Sequence, residues 1–168
     1  PTLRENWFGP VINRKAYEDY DGYIAALVAA GTILTGGKKL TEGELANGYY
    51  CAPTVAVDVP LEHRLWKEEM FLPIVMVAPV NDLKEAMELA NDVDYGLTAG
   101  FVGDPVEAEW FFDHIEAGTT YSNRPQGTTT GAWPGFQPFG GWKGSGSTGK
   151  NSGGYYSLPL YMHEQAQN

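Results

Sequence analysis

Cysteine, histidine and long apolar runs are scarce in this sequence of 168 residues. Cys51 is the only cysteine, so no disulfide can form within the chain, which favours a cytoplasmic protein. One cysteine and three scattered histidines do not have the spacing of a metal site, so we predict no bound metal. No apolar run reaches the ~20 residues that a membrane helix needs, and we expect no membrane association.

Positive charge is also in short supply. The chain has 11 Lys and Arg residues against 21 Asp and Glu residues, which gives a formal net charge of −10. An acidic surface disfavours binding to nucleic acid and to anionic membranes. Hydrophobic residues make up 43% of the chain, enough for a domain with its own core. The sequence starts at Pro1 without a methionine, which suggests a fragment or a processed chain.

Strand and helix patterns alternate along the chain and predict the α/β class, with a mostly parallel sheet and crossover helices. Asn13 and Gly31 have the residue types that begin and end a helix. Asn81 is expected to cap a second helix, and Asp104-Pro105 to begin a third. The continuous apolar run 73–80 predicts a strand that is buried on both faces.

A long loop, 123–154, follows the last of these elements and is rich in glycine and aromatic residues. Gly144, Gly146 and Gly149 fit the phosphate-loop pattern G-x-G-x-x-G, but no strand precedes them and no helix can open after them. We therefore interpret these glycines as a structural turn. Unusually long loops in compact domains generally carry a functional site. The final apolar segment, 155–162, is predicted to be a strand.

Two features of the loop suggest ligand chemistry. Backbone N–H groups at Gly131 and Ala132 are unobstructed by large side chains and could bind a carboxylate. The aromatic side chains either pack on their own domain or form a wall for a small substrate; they are Trp133, Phe136, Phe139 and Trp142. Arg124 either pairs with a substrate or has a structural partner.

Cys51 and the adjacent carboxylates Glu68 and Glu69 are the remaining candidates. Cys51 lies in an apolar strand pattern, where burial would keep its thiol protonated, so we predict a core residue rather than a nucleophile. The carboxylate pair is either a solvated surface or the source of one group that grips a ribose diol.

Four short strings together resemble the aldehyde dehydrogenase superfamily. EEMFLP at 68–73 is similar to the family element E-E-x-F-G-P, and QPFGGWKGSG at 137–146 is similar to P-F-G-G-x-K-x-S-G. YGLTAG at 95–100 and Asn123-Arg124 also match in order and spacing. The string GAWPGFQPF at 131–139 is similar to the loop of the 1-pyrroline-5-carboxylate dehydrogenase branch, which oxidises L-glutamate γ-semialdehyde in proline catabolism.

The resemblance implies roles for individual residues. Glu69 would bind the nicotinamide ribose of NAD or NADP, and Phe71 would pack near the nicotinamide. Leu72 stands where the family has glycine, a difference that is expected to shift Phe71. For the aldehyde substrate, the implied binding residues are Gly131 and Ala132 at the α-carboxylate, with Trp133 and Phe139 lining the tunnel.

The nucleophilic cysteine, the general-base glutamate and the dinucleotide-binding domain of the family all precede the matched region. The resemblance therefore implies a C-terminal part that holds no catalytic residue, is inactive alone and needs the Cys-bearing N-terminal part as its partner. Residues 1–150 would belong to the catalytic domain, and 151–168 would form an oligomerisation strand and tail of a homo-oligomer. The alternative is a non-catalytic binding or assembly subunit that reuses the fold.

Overall fold

The computed structural model describes residues 8–124, 137–148, 150 and 152–168. The chain divides into two compact units, Pro1–Pro79 and Val80–Asn168. The helices are α1 (Arg14–Ala30), α2 (Leu83–Asn91) and α3 (Pro105–His114), with 3₁₀ helices at Gly43–Asn47, Arg64–Trp66 and Leu158–Tyr161. The strands are β1 (Thr32–Thr35), β2 (Thr54–Val57), β3 (Ile74–Val77), β4 (Tyr95–Gly96), β5 (Thr98–Phe101), β6 (Thr119–Ser122) and β7 (Trp142–Lys143).

The first unit is a three-stranded sheet with α1 packed on one face. β1 pairs with β2 in the antiparallel sense, and β2 pairs with β3 in the parallel sense. Ile33, Ala56 and Met76 are aligned across the strands and pack into the cluster that contains Leu27 of α1. The same register turns the intervening valines to the other face, because side chains alternate along a strand.

Helix α1 has the predicted ends. The Asn13 side chain accepts a hydrogen bond of 2.9 Å from the N–H of Ala16, and the N–H of Gly31 donates to the Leu27 carbonyl at 2.8 Å. A Cβ atom at Gly31 would lie 2.5 Å from the Val57 carbonyl oxygen, so glycine is needed where the helix meets β2.

A buried polar cluster joins α1 to the strands. The Tyr20 side chain is fully buried, and its hydroxyl donates to the Ala52 carbonyl at 2.8 Å and lies 2.7 Å from Thr54 Oγ1. Thr54 Oγ1 also accepts a 2.9 Å hydrogen bond from the N–H of Gly37. Burial is the main reason that the pKa of Tyr20 is raised above its usual value of 10.0.

The second unit contains the predicted crossover. β5 and β6 are parallel, and α3 connects them. Asp104 caps α3 through a 2.8 Å hydrogen bond from the N–H of Val106, with Pro105 at the first helical position, as predicted. The core joins α2 to α3; its buried members are Met87, Phe111, Ile115 and Ala117. β4 pairs with β7 in the antiparallel sense.

The α/β class is confirmed, and three local predictions need correction. The run 73–80 is not buried on both faces: Val75 and Val77 are 53% and 51% exposed, because α1 covers only one face of this sheet. The cap of α2 is Asp82 rather than Asn81, with Asp82 Oδ1 2.8 Å from the N–H of Glu85.

The third correction concerns the C-terminal segment. Residues 155–162 form turns and a 3₁₀ helix rather than a strand, and Tyr155 and Tyr161 are 88% and 80% exposed. A strand needs a partner for its backbone N–H and C=O groups. The proposed role of 151–168 in oligomerisation stays a prediction. Within the described ranges, no helix is both long and apolar enough to cross a membrane.

Candidate functional site

The segment 68–73 alternates between side chains that face the core and side chains that face solvent. Met70 packs against the core cluster of Leu27 and Leu65, and Leu72 packs against the cluster of Tyr20 and Cys51. Glu69 is exposed, and Phe71 is 75% exposed. The packing therefore presents one carboxylate and one aromatic ring on the exposed side of the segment.

Neighbouring contacts fix the backbone on both sides of this segment. Leu65, in the preceding 3₁₀ helix, is only 1% exposed, and the indole N–H of Trp66 donates to the Pro60 carbonyl at 3.0 Å. After the segment, the Pro73 carbonyl accepts a 2.8 Å hydrogen bond from the N–H of Thr54. The two exposed side chains thus extend from a backbone that is anchored at both ends.

Phe71 adopts a backbone conformation that bulky residues rarely take. Its φ angle is +52°, in the left-handed region that favours glycine. Conformations of this kind cost of order 1–3 kcal/mol and are concentrated at ligand-binding and active sites. Neither the composition nor the periodicity of the sequence predicts this strain. It places an exposed aromatic ring at a defined position next to Glu69.

The two adjacent carboxylates have different partners. Glu68 forms an ion pair with Arg64, one helical turn before it. Glu69 has no ion pair or hydrogen bond within residues 8–124 and the other described ranges, so its carboxylate is available to accept hydrogen bonds from a ligand. Of the two carboxylates, Glu69 is thus the one available to a ligand, while Glu68 helps to fix the segment through Arg64. The ribose contact of Glu69 stays a prediction.

Cys51 is confirmed as a core residue. It is 2% exposed, and burial raises the pKa of its thiol above the usual value of 9.0. A buried, protonated thiol is a poor nucleophile. In the part of the chain that the structure describes, no group of three or more His, Cys, Asp and Glu side chains is placed to hold a metal ion.

The second candidate segment is 137–148. Phe139 is half-buried, and its backbone pairs with Ser152 through hydrogen bonds of 2.7 and 3.2 Å. The predicted substrate residues Gly131, Ala132 and Trp133 lie outside the described residues. Their roles, like that of Phe139 in the aldehyde tunnel, stay predictions.

The glycines of this segment support the interpretation as a structural turn. The N–H of Gly144 donates to the Asp94 carbonyl at 2.8 Å, and the N–H of Gly146 lies 3.4 Å from the Lys143 carbonyl. These donors are used within the protein rather than left to cradle a phosphate. The ammonium of Lys150 lies 4.8 Å from the centre of the Tyr156 ring, so this nearby cation also has a contact within the protein.

Asn123 fixes the start of the long loop, a role that the sequence pattern did not reveal. Its side chain accepts from the N–H of Gly103 at 3.0 Å and donates to the Gly103 carbonyl at 3.1 Å. Asn123 has a φ angle of +50°, which asparagine tolerates better than most residues. The guanidinium of Arg124 lies 5.5 Å from the centre of the Tyr121 ring, which favours the structural alternative for Arg124.

Comparison with known proteins agrees with the pattern of residues described above. The model of the aldehyde dehydrogenase family matches residues 1–166. A 1-pyrroline-5-carboxylate dehydrogenase of Halalkalibacterium halodurans is 37% identical over 125 residues, which are 74% of this chain and 24% of that protein. An alpha-ketoglutarate semialdehyde dehydrogenase of Haloferax volcanii is 39% identical over 117 residues, 68% of this chain and 24% of that protein.

A solved structure gives the same result. The 1-pyrroline-5-carboxylate dehydrogenase from Thermus with bound NAD superposes with a TM-score of 0.76 at 40% sequence identity. The match covers 88% of this chain and 27% of that one. The chain thus spans about a quarter of the length of the relatives that it matches.

Proposed function

Because the chain belongs to the aldehyde dehydrogenase family, we propose that it serves as the C-terminal part of an NAD(P)-dependent enzyme that oxidises L-glutamate γ-semialdehyde to glutamate. In this proposal the rest of the enzyme supplies the nucleophilic thiolate and the dinucleotide-binding domain. The cofactor accepts a hydride from the aldehyde carbon, and water then releases the acid from the thioester. The chain described here contributes the ribose contact and part of the substrate pocket.

The observation that carries the proposal is the arrangement of Glu69 and Phe71. A carboxylate without a protein partner can accept hydrogen bonds from both hydroxyls of a ribose, because each of its oxygens has free lone pairs. The exposed ring of Phe71, held at a φ angle of +52°, offers a flat surface beside it for the nicotinamide. Because both side chains are exposed, binding at them would not require the buried residues on either side to move.

The substrate is proposed from the loop sequence and from the relatives. A semialdehyde of this class carries a carboxylate, and burying that charge without a partner would cost several kcal/mol. Backbone N–H groups of Gly131 and Ala132 are proposed to pair with it, while Trp133 and Phe139 flank the aliphatic carbons. The Halalkalibacterium and Haloferax relatives are both named as enzymes of carboxylate-bearing substrates.

The proposed setting is a cytoplasmic homo-oligomer that acts in proline catabolism. The exposed C-terminal segment 155–162 is the proposed oligomer contact. The alternative, a non-catalytic subunit that reuses the fold, predicts no partner with a catalytic cysteine. The intact mass of the source protein separates the two hypotheses, because an enzyme of this family would be about three times as long as this chain.

The ribose contact can be tested with two neighbouring variants of the complete enzyme. Glu69→Gln removes the charge that is proposed to hold the ribose, whereas Glu68→Gln removes a charge that pairs with Arg64. Hydrogen bonds to charged groups contribute about 1.5–3 kcal/mol, so kcat/KM for NAD(P)+ should fall roughly 10- to 150-fold in Glu69→Gln. Glu68→Gln should change the same quantity by no more than about threefold.

Initial rates at varied NAD(P)+ and saturating aldehyde provide the measurement. Comparable losses in the two variants would show that the segment is merely sensitive to lost charge. A larger loss in Glu68→Gln would transfer the ribose contact to Glu68 and contradict the assignment of Glu69.

A further inference from the structure

We propose that Lys143 is a positioning residue: it fixes the segment 137–148 and thereby sets the location of Phe139. The lysine clamp consists of the Lys143 ammonium and its acceptors on Asn91, Val93 and Glu116. All of these residues lie in the second unit. The inference rests on the proposed function only through Phe139, which is the substrate-facing residue of that segment in the proposal.

The ammonium of Lys143 is fully used by the protein. It donates to the Asn91 carbonyl at 2.5 Å and to the Val93 carbonyl at 3.3 Å, and it pairs with Glu116 Oε2 at 2.6 Å. A lysine ammonium has three N–H donors, and these acceptors account for all of them. Lys143 is therefore not available to bind an anionic ligand. Any effect of Lys143 on a ligand must act through the residues that it holds in place.

The acceptors lie where two helices end. Asn91 is the last residue of α2, so the cation sits at the negative end of that helix dipole. The Asn91 side chain donates to the His114 carbonyl at 2.9 Å and accepts from the N–H of Glu116 at 2.9 Å. His114 ends α3. One cation thus anchors the segment to the joined ends of α2 and α3, which belong to the core of this unit.

The backbone of Lys143 shows that this attachment has a cost. Its φ angle is +50°, a conformation that lysine rarely adopts outside constrained sites. Strand pairing adds restraint, since Lys143 of β7 lies opposite Tyr95 of β4. The next residue, Gly144, donates to the Asp94 carbonyl at 2.8 Å. The side-chain contacts of Lys143 help to offset the strain and hold the segment in this arrangement.

The position of Lys143 is transmitted to Phe139 through a short, tightly packed connection. Gly140 and Gly141 between them are buried. A Cβ atom at Gly118 would lie only 1.7 Å from the Gly140 carbonyl oxygen, so the two backbones touch and the connection cannot slide toward β6. On the other side of Phe139, backbone pairing with Ser152 closes the arrangement.

The kinetic test uses the complete enzyme with Lys143→Met, which keeps the aliphatic stem and removes the donors. We expect the KM for glutamate semialdehyde to rise about tenfold or more, with the KM for NAD(P)+ changed less than about twofold. Lys143→Arg keeps the cation, but its planar guanidinium would reach fewer of the acceptors, which lie in different directions. Its KM for glutamate semialdehyde should lie between those of wild type and Lys143→Met. Lys84→Met, at an exposed ion pair with Glu88, is the matched control and should match wild type.

A second readout does not depend on the substrate. Hydrogen exchange of the peptide 137–148 should speed up about tenfold or more in Lys143→Met, whereas the peptide 14–30 of the first unit should be unchanged. Unchanged exchange at 137–148 would show that the contacts of Lys143 do not restrain this segment, and it would overturn the proposal. Exchange could instead become faster while kcat falls equally for all aldehydes and every KM stays unchanged. That result would show that Lys143 has only a structural role, and it would overturn the positioning role. An inactive wild-type enzyme would refute the proposed function instead, and the exchange result would still decide the clamp.

Discussion

The strained backbone at Phe71 leads to a prediction in which the usual order of two substitutions is reversed. Phe71→Ala and Phe71→Gly both remove the ring, so they lose the same packing. Full burial of a Phe side chain is worth about 1.5–3 kcal/mol. Phe71 is 75% exposed, so the loss common to both variants is well below 1 kcal/mol on the same scale. The difference between the variants therefore reports the backbone.

The backbone terms can be estimated separately. Alanine in the left-handed region costs about 1–2 kcal/mol, a cost that glycine avoids. Glycine instead gives the unfolded chain more freedom, which lowers the free energy of unfolding by about 0.4–1 kcal/mol. With the φ angle of +52° retained, Phe71→Gly should be more stable than Phe71→Ala by about 1 kcal/mol.

Urea denaturation of the two variants, with equal m-values, measures this difference. The control is the same pair of substitutions at Glu88, an exposed position in the middle of α2, where alanine should be the more stable residue by about 1 kcal/mol. Equal stability at position 71, or an advantage for alanine there, would refute the left-handed conformation of Phe71. Cofactor affinity should fall equally in both variants, because each lacks the ring that is proposed to contact nicotinamide.

Three further predictions concern other parts of the chain. Burial raises the pKa values of Tyr20 and Cys51, so folding favours their protonated forms, and this contribution to stability is complete below about pH 9. Urea midpoints should fall as the pH rises above 9 to 10, and they should fall less steeply in Tyr20→Phe. A midpoint that stays flat to about pH 11 would contradict this. Ala132→Pro removes one proposed N–H donor, so kcat/KM for glutamate semialdehyde should fall roughly 10- to 150-fold and that for propanal far less; equal losses would rule out the carboxylate contact. Truncation before Tyr155 should reduce the oligomeric state measured by light scattering, and an unchanged mass would exclude the C-terminal contact.

Local signals predicted the helices of this fold well. Asn13 and Asp104 were identified as caps because a side-chain oxygen next to an apolar helical pattern has one obvious use, to accept from a free N–H at the helix start. The error at Asn81 was a shift of one residue: Asn81 and Asp82 are both good caps, and the cap position falls to Asp82 while Asn81 donates to the Glu85 side chain at 2.7 and 2.8 Å.

Burial and pairing were harder to predict because they depend on distant parts of the protein. The apolar composition of β3 is typical of a strand covered on both faces, yet in this unit α1 covers one face and leaves Val75 and Val77 exposed. Similarly, the strand predicted at 155–162 has no described partner strand in the chain, and a 3₁₀ helix forms over part of it. Sequence periodicity indicates which residues suit a buried strand, but it does not say what covers them.

In the candidate site, too, the sequence identified residues but not the contacts that they make. Residue chemistry alone did not separate Glu68 from Glu69; the family resemblance implied Glu69, and the ion pair between Glu68 and Arg64 supports that choice. The left-handed backbone of Phe71 has no sequence signature when the residue is not glycine. Lys143 was part of a recognised motif, but its role in anchoring two helix ends depends on acceptors that lie 50 or more residues earlier in the sequence or on Glu116.

The most direct test of the account is NAD(P)+ reduction with L-glutamate γ-semialdehyde, measured in parallel for the intact source protein and for the isolated 168-residue chain. We expect turnover by the intact protein and none by the isolated chain, because the only thiol of the chain, Cys51, is buried and protonated. Turnover by the isolated chain that Cys51→Ala abolishes, or an intact protein that oxidises no aldehyde, would contradict it.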